Sequence, residues 1–189
     1  MPVTISGSGP VMGLTTVNSL TLPTDSIQPG MVLIASQSFS AASSVSVNNC
    51  FSSTYDNYRI ILTGNASADV SMYMRFRSAG SDNSTLNYAW QYIAATSTSV
   101  SAASSTGGSA SSITAFYTSD GNSASIDVMN PNLAKPTGIN TSVVYTYGTL
   151  QWRGYAALFT ATTQFDGFTI YPSSGNMTGT LRVYGYRNS

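Results

Sequence analysis

The side chains best suited to ligand binding are tyrosines, tryptophans and arginines that recur at alternate positions. Tyr88, Trp90 and Tyr92 form one such row. A row of exposed rings can stack on the apolar faces of sugars, while arginine and asparagine supply hydrogen bonds. The alternative is that the same rows fill the core or a subunit interface. The candidate ligand-binding residues are Tyr73, Arg75, Arg77, Tyr88, Trp90, Tyr92, Trp152 and Arg153.

Two arginines of this set, Arg75 and Arg77, have the same parity as Tyr73 in a predicted strand. The planar guanidinium fork of an arginine can grip a carboxylate or a backbone carbonyl of a partner chain. The alternative is an ordinary solvated strand edge, or a salt bridge to one of the chain's own aspartates. Both interpretations are open at the level of the sequence.

The residue types needed for most hydrolytic chemistry are absent from the sequence. The 189 residues contain no histidine and no glutamate, which removes Ser-His-Asp triads, histidine-ligated zinc sites and paired-glutamate glycosidase sites. The aspartates mostly stand beside asparagine, glycine or serine, a composition typical of tight turns. We therefore expect no catalytic residue, no metal ligand, no cofactor and no enzymatic activity. A depolymerase that uses two paired aspartates is the one enzymatic alternative.

The charge of the chain excludes further classes of partner. Seven lysines and arginines balance seven acidic residues, and charged residues make up 7% of the chain against about 25% in ordinary soluble domains. A nucleic-acid-binding protein needs a basic surface, so no nucleic-acid partner is expected. No apolar run approaches the roughly 20 residues that span a bilayer, so no membrane insertion is expected. Cys50, the single cysteine, is predicted to be a small buried apolar residue.

The elements that must position these side chains are β-strands, because apolar residues recur with a period of two. In residues 70–77, for example, Met72, Met74 and Phe76 share one face. About ten short strands of this kind predict an all-β fold, an antiparallel β-sandwich of jelly-roll type. The predicted strands are residues 31–39, 44–51, 58–62, 70–77, 86–94, 112–118, 125–129, 141–147, 153–161, 165–171 and 180–187.

Two segments depart from the strand pattern. Residues 1–30 are rich in glycine, proline, serine and threonine, which predicts an extended N-terminal anchoring arm. Residues 31–189 then form the sandwich domain. Within that domain, residues 96–112 are a low-complexity stretch of serine, threonine, alanine and glycine, predicted to be a long loop.

Several stretches resemble virion proteins of tailed bacteriophages, particularly those of aquatic and cyanobacterial phages. These stretches are MPVTISGSGPVMGLTTV at residues 1–17, MVLIASQSF at 31–39, FSSTYDNYRIIL at 51–62 and FTIYPSSGNMTGTLRVYGY at 168–186. The resemblance implies an N-terminal anchoring segment, a homotrimeric β-sandwich and a place on the virion. It also implies other tail or capsid proteins as partners and, for a member located in a fibre, contact with host-surface glycans.

The leading expectation is therefore a tail fibre or tail-tip protein that attaches through its arm and meets host glycans with its sandwich. The alternative is a capsid decoration or cement protein, in which the arm runs over the shell and the sandwich clamps neighbouring capsomers. A cellular lectin is a further possibility, but the N-terminus shows no secretory signal.

Overall fold

A computed structural model describes residues 30–118 and 121–188, with residues 146 and 147 described by their backbone alone. The described chain consists of strands joined by turns. They are β1 (Met31–Ala42), β2 (Val45–Val47), β3 (Asn57–Ala66), β4 (Val70–Ser78), β5 (Ser81–Asp82), β6 (Tyr88–Thr96), β7 (Ser99–Gly108), β8 (Ser111–Phe116), β9 (Asn122–Met129), β10 (Thr137–Tyr147), β11 (Thr149–Phe159), β12 (Gly167–Pro172) and β13 (Met177–Tyr186).

The strands form two antiparallel sheets that pack face to face. The large sheet has eight strands in the order β1-β13-β3-β9-β10-β11-β6-β7. The small sheet has the order β2-β12-β4-β5, and β8 pairs with β4 as well. The chain passes repeatedly from one sheet to the other, as in a jelly roll. The prediction of an all-β antiparallel sandwich is confirmed.

The core lies between the two sheets and is built from the inward-facing residue of each alternating pair. Its centre is aromatic. The ring of Phe76 on β4 stacks on Phe165 at 4.8 Å between centroids, and Tyr88, Phe51 and Phe159 surround it at 6.2 to 6.5 Å. These rings are removed from water almost completely, and their burial is the main source of stability for a fold with few charges.

The prediction of a long loop in the low-complexity stretch is wrong. Residues 96–112 are not a long loop, because β7 pairs with β6 from Ser99 opposite Thr96 to Gly108 opposite Tyr88. Serine, alanine and threonine side chains are too small to produce a strong alternation, and most of β7 is exposed. In residues 44–51 the strand is limited to Val45–Val47. The predicted arm, residues 1–30, lies outside the described residues except for Gly30.

Cys50 occupies the environment expected from its type. Its side chain is 2% exposed, and its thiol donates to the carbonyl of Val47 at 3.8 Å. Burial raises the pKa of the thiol to about 12. In the described part of the chain, no helix has the length and apolarity that crossing a membrane requires.

Candidate functional site

An open cavity of about 450 Å³ lies where the chain passes from β7 to β8, beside the small sheet. Its aromatic walls are Tyr73 from β4, Tyr171 from β12 and Trp90 from β6. Ser105 and Ser109 supply hydroxyl groups along the same surface. We refer to the space lined by these five residues as the aromatic groove.

Contacts with neighbouring aromatic rings hold the rings of the groove in place. Tyr73 and Tyr171 face each other across the β4–β12 ladder, with ring centroids 5.8 Å apart at an interplanar angle of 30°. Trp90 stacks on Tyr92 at 6.3 Å and 6°. All four side chains are partly buried, so part of each remains exposed to solvent. Burial raises the pKa of the Tyr171 hydroxyl, which stays protonated and able to donate a hydrogen bond.

Arg75 does not line the groove itself but contacts two of the residues that do. Its Nε donates to the carbonyl of Ser109 at 3.0 Å, and its Cζ lies 5.0 Å from the ring centroid of Tyr171. The arginine therefore donates to a backbone carbonyl, as its fork geometry allows, but the carbonyl belongs to its own chain and not to a partner chain. The cation orders the β7–β8 connection and adds positive charge at the groove wall.

A second cluster lies next to the groove on the inner face of the large sheet. The guanidinium of Arg153 lies 5.5 Å from the ring centroids of both Tyr92 and Tyr145, and it donates to the hydroxyl of Tyr155 at 3.4 Å. The ring of Tyr117 packs on Tyr145 at 4.7 Å. Within residues 30–118 and 121–188, Arg153 makes no ion pair with a carboxylate. Cation–π contacts with tyrosine rings hold the charge in place instead.

Arg77 does not join the groove. It pairs with Asp82, and it also donates to Asn48 Oδ1 at 2.8 Å and to Thr169 Oγ1 at 2.8 Å. Thr169 in turn donates to Asp82 at 2.7 Å. This closed network fastens the β4–β5 turn to β12, so the salt-bridge interpretation of Arg77 describes what the structure shows.

Tyr88 does not line the groove, although it has the same parity as Trp90 and Tyr92. Its side chain is fully buried, and the ring packs on Phe159 at 4.9 Å. The sandwich is closed over Tyr88, whereas the inner face of β6 opens toward the groove two residues later. The structure therefore removes Tyr88 from the candidate ligand-binding set and places it in the core.

Trp152 lies on the opposite face of β11 from Arg153, far from the aromatic groove. It is 43% exposed on the outward side of the large sheet, and its Nε1 donates to Ser142 Oγ at 3.0 Å. The indole covers Gly154, where a Cβ would lie 2.9 Å from the ring. Of the eight candidates, the structure thus brings Tyr73, Arg75 and Trp90 together, with Tyr92 and Arg153 adjacent.

Four aspartates of the described residues, Asp69, Asp82, Asp127 and Asp166, use their carboxylates in structural contacts. Asp127 accepts two hydrogen bonds from Arg59 at 2.8 Å, and this pairing lowers the pKa of the carboxyl. Asp69 accepts from the Thr118 amide at 3.0 Å, and Asp166 from the Ala79 amide at 2.8 Å. Among the described residues, no three histidine, cysteine, aspartate or glutamate side chains gather closely enough to hold a metal ion.

Sequence reasoning missed Tyr171, Ser105 and Ser109 as groove residues. Tyr171 follows the inward-facing Phe168 and Ile170 in a predicted strand, so its outward position was available from alternation. Its pairing with Tyr73 depends on strand register, for which the sequence holds no local signal. The two serines stand in and just after β7, in the stretch that was interpreted as a loop.

Three comparisons with known proteins gave no match: none by family model, none among curated proteins and none among solved structures. A sandwich architecture by itself implies no particular activity, so the residues of the site carry the functional information.

Proposed function

We propose that this chain is a structural protein of a tailed-bacteriophage particle, located at the tail fibre or tail tip. In this proposal it is a homotrimer that attaches to other tail proteins through residues 1–30 and contacts a saccharide of the host surface. The protein acts by binding and not by turnover. The resemblance of several sequence stretches to phage virion proteins supports the location on the particle, and the aromatic groove supports the contact with a saccharide.

The observation that carries the saccharide contact is the set of three partly buried rings around the groove. The groove is lined by Tyr73, Trp90 and Tyr171, whose aromatic rings are of the kind that stack on the C–H surfaces of sugars. Ser105 and Ser109 line the same space with groups that exchange hydrogen bonds with sugar hydroxyls. A volume of about 450 Å³ falls within the range of about 300–1,000 Å³ typical of small-molecule sites.

The saccharide contact is tested by measuring the binding of host-surface polysaccharide and its oligosaccharide fragments to the full chain. We expect Trp90→Ala to weaken binding about tenfold, because the variant loses one stacking ring. Leu86→Ala is the control, since Leu86 is a large exposed apolar side chain that does not line the groove. Equal affinities of wild type and Trp90→Ala, with both proteins folded, would remove the groove from the proposal.

A capsid decoration or cement protein is the second candidate, and the edges of the large sheet favour it. The edge strands β1 and β7 contain no charged residue and no proline. Such edges can be extended by a strand of a neighbouring chain, as a protein clamping adjacent capsomers would require.

Antibody–gold labelling of intact particles of the encoding phage separates the two candidates. Label at the tail supports the host-contact proposal, and label spread over the head supports the decoration protein. Absence of label from every particle would contradict both candidates.

A further inference from the structure

The outward side of the large sheet is unusually apolar at one end. Ten large apolar side chains are exposed among the described residues. Six of them lie on the outward side of β10, β11, β6 and β7, five near the β10–β11 and β6–β7 turns and the sixth, Leu158, toward the other end of β11. They are Ile93, Val100, Val144, Leu150, Trp152 and Leu158, with exposed fractions from 42% to 74%. We refer to the outward side of these four strands as the uncharged face.

This face carries no charged side chain. The one charged residue in the four strands is Arg153, which points to the inner side with Tyr155. Single exposed apolar residues are normal on protein surfaces, but a contiguous apolar patch marks a contact surface. A surface without charges can meet an identical surface without like-charge repulsion. The zero net charge of the chain also favours contact between copies.

The shape of the uncharged face suits contact with a second copy of this chain. Two adjoining hollows of about 470 and 360 Å³ share Gln91, Ser104 and Ala156 in their linings. Trp152 and Leu158 border these hollows. Projecting side chains and hollows therefore occur on one face, so that copies arranged about a threefold axis can insert the projections of one copy into the hollows of the next.

The size of the face also matches a subunit contact. Four strands spaced about 4.8 Å apart and 9 to 11 residues long, at about 3.3 Å per residue, cover a projected area of about 650 Å². Stable interfaces bury about 800 Å² on each partner. Trp152 is preorganised at this face by its hydrogen bond to Ser142 and its contact with Gly154, so little side-chain freedom is lost on binding.

We propose that the uncharged face is the surface at which copies of this chain meet. The inference rests on the self-association part of the proposed function and not on saccharide binding, because the aromatic groove opens on the other side of β6. Loss of saccharide binding and loss of assembly are therefore separate results.

Sedimentation velocity of the full chain at micromolar concentrations tests the proposal. We expect the wild type to sediment as a multiple of the 19.8 kDa monomer. Ile93→Asp and Leu150→Asp place a charge at exposed positions of the face, and each is expected to weaken association at least about tenfold. The matched control is Leu86→Asp, because Leu86 is 71% exposed but lies before β6, outside the face. Circular dichroism verifies that each variant is folded.

A measurement without a charge substitution accompanies these variants. In a Trp90→Phe background Trp152 is the single tryptophan, and we expect acrylamide to quench its fluorescence more strongly as dilution dissociates the assembly. A monomeric wild type would overturn the proposal, as would assembly that survives both face substitutions. A monomer in which Trp152 is already shielded would overturn it too, and would point to residues 1–29 as the segment covering the face.

Discussion

Removal of a single hydroxyl group, in the variant Tyr88→Phe, is expected to lower the free energy of unfolding by about 2–3 kcal/mol. The Tyr88 side chain is fully buried, and its hydroxyl accepts from the Phe76 amide at 3.0 Å and donates to the Asn83 carbonyl at 2.9 Å. Phenylalanine leaves the buried amide without a partner, at about 1–3 kcal/mol, and loses the second bond, at about 0.5–1.5 kcal/mol. The packing of the ring on Phe159 is unchanged.

Urea unfolding followed by circular dichroism measures this change, and thermal unfolding provides a second estimate. At this chain length each kcal/mol lowers Tm by about 2–4 °C, so we expect a decrease of roughly 4–12 °C. Tyr184→Phe is the control, because the Tyr184 hydroxyl makes no hydrogen bond to other described residues. If Tyr88→Phe unfolds within about 0.5 kcal/mol of the wild type, the assignment of Tyr88 to a hydrogen-bonded core position is wrong.

Three further variants or treatments probe other contacts. Asp127→Asn removes the bidentate pair with Arg59, and since both side chains are about one-third exposed we expect a loss of only about 0.5–1 kcal/mol at neutral pH. Folding lowers the pKa of Asp127, so the stability from this pair is present above about pH 4 and is lost as the pH falls through the folded pKa. Urea unfolding at several pH values should therefore show the free energies of unfolding of the variant and the wild type converging at low pH. Gly179→Ala is expected to cost about 3 kcal/mol, measured by thermal unfolding, because its Cβ would collide with the Thr63 carbonyl across the β13–β3 ladder. A wild-type Tm in this variant would contradict the close approach of the two strands. Cys50, with its pKa raised to about 12, should react with an aromatic disulfide reagent only after unfolding, whereas rapid reaction of the native protein would show that the thiol is accessible.

The fold class was predictable because its signal is local. On β4, Met72, Met74 and Phe76 point to the core while Tyr73 and Arg75 point outward, as alternation predicted. Where the apolar residues are large, the presence of a strand was predictable, although several strand ends differ from the prediction by three or four residues. The prediction failed in β7, whose small polar side chains carry no alternation strong enough to distinguish a strand from a loop.

The candidate site was predictable only in part, for a related reason. Alternation along the strand correctly put Tyr73 and Arg75 on one face of β4, but it also put Tyr88 on the same face of β6 as Trp90. These two residues share a face of β6, yet one lies inside the closed sandwich and the other at its open end. Parity shows the side of a sheet on which a residue lies, whereas burial depends on whether the second sheet covers that position.

The sequence alone determined the all-β class, the absence of histidine and glutamate chemistry, the near-neutral surface and the buried thiol, because these depend on composition and on neighbours along the chain. Tertiary structure decided which residues meet. The pairing of Tyr73 with Tyr171, the gathering of tyrosines around Arg153 and the uncharged face all join strands that are distant in sequence. Strand order and register are set by the packing of two whole sheets, and no local pattern encodes them.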